Sequence, residues 1–234
     1  VQSHVRATTH HFPEWLVTLL PLERSTPADA AVESLRDEIL GGAYPPGTAV
    51  TDQDVQARLG VTREYARAAM GRLEREGLLV HSLHRGLEVV RISVEDVRDL
   101  YATRRTLELA GLEAMVRRRP ADDVWLQAAV TSMTEAAKAG DGRAAVAADA
   151  AFHLAIVAST SSRRLRTAAE AALRELRIVL AVADRVSSDL DELAADHAGL
   201  LDALINAPPP SARAALLDHL RRGESRALAV THGA

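Results

Sequence analysis

The sequence predicts a mainly helical chain, an N-terminal winged helix-turn-helix followed by an all-α bundle of six helices, on three observations. Apolar residues recur at helical spacing through most of the chain, the period shortens to about two in a single stretch after Gly77, and Gly or Pro separates the helical segments. Composition agrees with helix: 44 of the 234 residues are Ala, and 27 of the 28 basic residues are Arg, Lys138 being the only Lys. With 47% hydrophobic but only 3% aromatic residues, the core is aliphatic and suits one large or two small domains.

Residues 1–28 mix polar, Pro and His residues around one apolar run and read as a leader, either partly disordered or a short helix around Trp15. From Asp29, residues Ala31, Val32, Leu35 and Ile39 fall at helical spacing, and Gly41-Gly42 stops the helix. Thr51 then caps a short helix with Val55 and Leu59 on one face, and Asp52 and Asp54 suit the positive end of its dipole. Gly60 ends it, and Thr62 caps a second helix with the inward stripe Ala66, Ala69, Met70 and Leu73, ending at Gly77. Two helices joined by about three residues around a Gly form a helix-turn-helix. Leu78–Val80 and Leu87–Val90 read as strands either side of a His84-Arg85-Gly86 turn, which makes a wing over the end of a 29–92 domain. Helices are expected near 94–118, 121–138, 142–158, 162–187, 189–206 and 211–230, filling a second domain over 93–234, with joints at Pro120, Gly140–Gly142 and Pro208–Pro210.

The absence of Cys excludes disulfides, zinc fingers of the Cys type and a thiol nucleophile, and makes a reducing cytoplasm the expected location. The apolar run Trp15–Leu22 is far below the roughly 20 residues of a membrane-spanning helix, so no membrane partner is expected. Net charge is −4, yet residues 58–91 hold seven Arg against four Glu, besides His81 and His84. A local basic face of this kind can bind phosphate on an acidic chain. Residues that reach base edges lie near the N-terminus of the recognition helix and on its outward face, which here are Thr62, Arg63, Glu64 and Arg67. Arg63 and Arg67, four apart, both lie opposite the buried stripe. His84, Arg85 and Gly86 at the hairpin tip are placed to enter a minor groove.

In the second domain Asp149 and His153 share a stripe with Val146, Ala150, Ile156 and Val157, so both polar groups point where an apolar core belongs. His197 lies likewise among Leu193, Ala194, Leu200, Leu201 and Leu204, and His219 among Ala215, Leu216 and Leu220. Buried imidazoles need partners. On spacing alone, a shared ion and separate satisfaction of each His by backbone or a nearby acid both stand.

The runs Ile39-Leu40-Gly41-Gly42-Ala43-Tyr44-Pro45-Pro46-Gly47-Thr48, Leu59-Gly60-Val61-Thr62-Arg63, Leu73-Glu74-Arg75-Glu76-Gly77-Leu78 and Arg85-Gly86 resemble the winged helix-turn-helix of GntR-type bacterial transcription regulators. The run Leu100-Tyr101-Ala102-Thr103-Arg104-Arg105-Thr106-Leu107-Glu108 resembles the start of the FCD effector domain of their FadR-like subgroup. The resemblance implies a homodimer that binds a palindromic operator and is released, or less often recruited, by a small metabolite. It also implies a divalent metal held by Asp149, His153, His197 and His219, where metal-binding FCD domains carry one Asp and three His. Such a donor set suits zinc first, with nickel or manganese as further fits. A small organic acid would complete the coordination, with Arg104 as its second, bidentate anchor. The sequence departs from the family at Glu64-Tyr65-Ala66, where Thr-Pro-Val is usual, and at Gln53, where Arg is usual; Glu64 would pair with Arg67 or accept from a cytosine amino group. No catalytic residue is expected. A metal-dependent hydrolase on the same ligands, or a helical interaction protein that binds no ligand, are the alternatives.

Overall fold

A computed structural model describes residues 26–40, 43–83, 85–118, 123–187 and 189–231. The expected leader and the Gly41-Gly42 stop lie outside these residues, apart from the last three leader positions. Helix α1 spans Pro27–Leu40, strand β1 Ala49–Val50, α2 Asp52–Leu59, α3 Arg63–Arg75, β2 Leu79–Ser82 and β3 Gly86–Val89. Helices α4 (Val94–Arg118), α5 (Val124–Ala139), α6 (Gly142–Ala158), α7 (Arg163–Ser187), α8 (Leu190–Asn206) and α9 (Pro209–Thr231) follow. The fold class is as the sequence predicts, mainly helical with a winged helix-turn-helix ahead of a helical bundle.

Local chemistry sets most boundaries. Thr62 and Thr51 accept from Tyr65 N and Asp54 N, and Gly60 takes the left-handed conformation that ends α2 (φ 66°). α1 starts two residues before the expected Asp29. Thr26 Oγ1 accepts from Asp29 N (3.1 Å) while the Asp29 carboxylate accepts from Thr26 N (3.1 Å), a reciprocal cap with Pro27 as the first helical residue. The same property of Pro corrects the expected joint at 208–210. Pro209 and Pro210 sit in the first turn of α9, where their missing N–H groups would have had no helical acceptor. The α5 start is also later than the expected 121, because Asp123 caps Leu126 N.

β1 is too short to show a period and was not expected; it adds to the wing hairpin to give the antiparallel order β1-β3-β2, with Ala49 opposite Glu88 and Leu79 opposite Val89. The winged unit closes over Leu35, Val55, Ala66, Ala69 and Leu73, all fully buried. The bundle core centres on Phe152, Leu126, Met133, Ile156 and Leu216. α6 lies in the middle, and every residue from Ala145 to Val157 is buried. Its close approach to α4 depends on Gly111, where a Cβ would meet the Ile156 carbonyl oxygen at 2.2 Å. The two units also touch. Arg143 at the start of α6 pairs with Glu33 and, at 3.0 Å, with Asp37 of α1. Ile178 of α7 joins the apolar core of the winged unit.

Candidate metal centre and nucleic-acid interface

On α3, burial of Ala66, Ala69, Met70 and Leu73 leaves Arg63, Glu64 and Arg67 exposed on the opposite face, as their phase requires. Arg63 and Arg67 are 68% and 71% exposed, and both face Asp52 at the start of α2. Arg63 Nε donates to Asp52 Oδ2 at 2.9 Å, and Arg67 Nε lies 3.9 Å from the same oxygen. The hydrogen bond from Arg63 is the main reason the Asp52 carboxyl titrates below its ordinary range. Asp52 thus takes the place that the sequence reading offered to Glu64. At the wing, Arg85 is exposed and Gly86 has φ 77°, a conformation that favours Gly. His84 lies outside the described residues.

In the bundle, three helices bring Asp149 and His153 (α6), His197 (α8) and His219 (α9) to one buried point. The imidazoles share a single arrangement. Each Nδ1 faces an oxygen: Glu108 Oε2 for His153 (2.7 Å), the Leu193 carbonyl for His197 (2.8 Å) and Asp196 Oδ2 for His219 (2.9 Å). Those oxygens are acceptors, so each ring carries a proton on Nδ1 and turns its Nε2 inward. His153 Nε2 lies 3.4 Å from His197 Nε2 and 3.2 Å from His219 Nε2. Asp149 Oδ1 lies 2.9 Å from His197 Nε2 and 3.7 Å from His153 Nε2.

Nε2 atoms facing one another at that range call for a proton or a cation between them. Two ligand atoms each about 2.1 Å from an ion are about 3.4 Å apart at a tetrahedral angle and about 3.0 Å at a right angle, and the two Nε2–Nε2 separations of 3.2 and 3.4 Å fall in that range. The three His could therefore hold a metal ion, and Asp149 Oδ1 lies beside the Nε2 atoms of two of them. Electrostatics favours the unprotonated forms of His153, His219 and Asp149. Burial, and then the Arg104 charge, pushes His153 down to about 4, and burial lowers His219. Burial alone would raise Asp149, but the hydrogen bond to His197 and the charges of His153, His197 and Arg104 hold it far below its ordinary range.

Arg104 is buried at 4% exposure, and Nε donates to Glu108 Oε1 at 2.9 Å. This differs from an Arg whose whole fork is free for a bidentate pair: Glu108 holds Nε, and buried Nη2 lacks a hydrogen-bond partner. Beside it is a cavity of about 10 Å³, walled by Arg104, Glu108 and His153 on one side and Ala169, Ala172 and Leu173 on the other. Arg105 turns elsewhere, to Glu224 of α9 at 2.7 Å. The sequence reading missed Glu108, Asp196 and the Leu193 carbonyl as holders of the imidazoles. Only Glu108 left a signal, four residues after Arg104 on the same helix face.

A recognition helix with an exposed arginine face, a wing, and a helical bundle with a polar centre of ionic dimensions define the class: a winged-helix DNA-binding regulator. Residues 27–89 match the bacterial regulatory proteins of the gntR family, and residues 99–222 match the FCD domain. The chain belongs to the GntR family of transcription regulators, in its FCD-containing branch. It is 32% identical over 203 residues, 85% of this chain and 88% of the relative, to a Paenarthrobacter nicotinovorans protein described as "Probable D-xylose utilization operon transcriptional repressor". Among solved structures it resembles a GntR regulator from Rhodococcus sp. RHA1, with a TM-score of 0.64, 26% identity, and 88% of this chain and 99% of that one covered. E. coli McbR/YncC shares the fold, with a TM-score of 0.58 and 20% identity over 85% of this chain and 95% of that one. These families and relatives are transcription regulators; the chain is not an enzyme, and the hydrolase alternative falls away. No helix among the described residues is long and apolar enough to cross a membrane.

Proposed function

We propose that the protein is a homodimeric, ligand-responsive repressor in which residues 29–92 bind a palindromic operator and residues 93–234 form the dimer and bind a small carboxylate metabolite. Repression follows the description of the Paenarthrobacter relative. Thr62, Arg63, Glu64 and Arg67 face the major groove, and His84, Arg85 and Gly86 the minor groove. Asp149, His153, His197 and His219 hold a divalent metal, zinc being the best match to the donors, with nickel or manganese also compatible. When bound, the ion supplies a positive centre to which a carboxylate oxygen can bind. Arg104 Nη2 offers the same acid a charge-assisted hydrogen bond, while Glu108 keeps the guanidinium in place.

The observation that carries this reading is the convergence of three imidazole Nε2 atoms and one carboxylate, each imidazole fixed from behind by its own oxygen. Elemental analysis of the protein, and zinc titration of the chelator-treated form, should show about one ion per chain, lost in His197→Ala. A parent protein that takes up no divalent metal would leave the three His as core residues and refute the metal reading. A duplex selected from a random pool should be a pseudo-palindrome, bound with one dimer per site.

A further inference from the structure

The Arg104 cavity and the contact between the two units lie on the same helix. At 100° per residue, Ile178 lies about 180° around α7 from Ala169 and about 140° from Leu173. One face of α7 therefore closes the cavity while the opposite face, one or two turns further on, meets the winged unit. What Ile178 meets there is the end of the recognition helix. Its Cδ1 lies 3.6 Å from the position a Cβ would take on Gly77, two residues past the end of α3. Beside it, Arg177 is half-buried. Glu76 caps α3 and is paired with Arg36 of α1 at 2.5 Å. The cavity, at about 10 Å³, has room for about one water and none for an organic acid unless a wall moves. Two of its walls, α4 and α6, are locked together by the Gly111–Ile156 approach.

We infer that Ile178 is a positioning residue for DNA binding, seating the C-terminal end of recognition helix α3 on the bundle, and that α7 is the movable cavity wall through which an occupant of the cavity shifts that seat. The inference rests on the DNA-binding reading of α3 given above, but not on the metal. α7 works as a rocker: side-chain volume added at Ala169 or Ala172 drives the helix away from Arg104, and the opposite face carries Ile178 with it.

The test substitutes protein volume for the unidentified acid. The probe is a fluorescein-labelled duplex selected from a random pool by the parent protein, and the variants are Ile178→Ala, Ala172→Val, Ala169→Val and each cavity variant combined with Ile178→Ala. Melting temperature and helical circular dichroism establish that each is folded, and zinc titration reports the ligand centre independently. Ile178→Ala should bind the duplex about 5-fold or more weakly with its zinc affinity unchanged. Ala172→Val or Ala169→Val should weaken binding by a similar factor in the parent background, and by less than about 2-fold when Ile178 is already Ala. Parent-like affinity in Ile178→Ala overturns the positioning role. Equal effects of the cavity variants in both backgrounds overturn the rocker. Failure of the parent to select any duplex removes the DNA reading on which both depend, whereas failure to bind zinc alone leaves both standing.

Discussion

The arginines of α3 and the imidazoles of the bundle are both held by oxygens, a carboxylate for the first and two carboxylates and a backbone carbonyl for the second, but they respond to a ligand in opposite ways. Arg63 and Arg67 share one carboxylate on an exposed surface, where such pairs are worth about 0–1 kcal/mol and are screened by salt. Exchanging Asp52 for a phosphate costs little, so that face is ready for a polyanion. The imidazoles are sealed from water, and their outward nitrogens are already satisfied. Their Nε2 atoms all point at one spot, beside the Asp149 carboxylate. Exposure makes the first region exchangeable; burial makes the second selective.

Four changes would break or sharpen this contrast. The largest effect should come from Gly111→Ala. Ala is favoured over Gly in a helix by about 0.5–1 kcal/mol, so a destabilisation of about 3 kcal/mol in a urea titration would show that the α4–α6 approach dominates. Parent-like stability would mean that the crossing is not tight. Acid should weaken the buried region next. His153 takes its proton near 6.5 when unfolded but only near 4 when folded, so stability is full above about 6.5 and is lost as the pH falls toward 4. In metal-free protein the melting temperature should fall across that window by ~2–4 °C for each kcal/mol lost, and a flat profile would contradict the burial of a neutral His153.

At the exposed region, Arg63→Ala should weaken operator binding by about 1–3 kcal/mol in an anisotropy titration if the contact to a base is bidentate, without moving the melting temperature by more than a degree or so. Undiminished affinity would take Arg63 out of the interface. The smallest effect should be that of Asp52→Asn, which frees both arginines and removes a negative charge from beside the groove. Affinity should rise by about 2- to 5-fold, and a fall would show that Asp52 positions the arginines rather than competing for them.

Features governed by neighbours in sequence were legible before the structure. Thr51 and Thr62 cap as their types suggest, Gly60 ends its helix, and the phases of Asp149, His153, His197 and His219 point them inward. Features that depend on which helices meet were not. Nothing in the spacing says that Glu108 will face His153, 45 residues away, or that Asp196 will face His219. Asp52 was read as a dipole partner for α2, yet the helix-turn-helix geometry makes it the counter-ion of the recognition helix. Pro209 and Pro210 were read as a break because Pro ends more helices than it interrupts, while the same ring suits a first turn.

The burial of α6 has a consequence for how this molecule opens. Thirteen consecutive residues of that helix, Ala145–Val157, are shielded on every side, so its amides have no route to solvent through fraying or through a local breath of one face. Their exchange with deuterium must wait for the whole bundle to come apart. The slowest protons of α6 therefore act as a gauge of global unfolding. Anything that binds only the folded bundle should slow them all by one common factor, while the amides of the wing hairpin keep their own, faster clock.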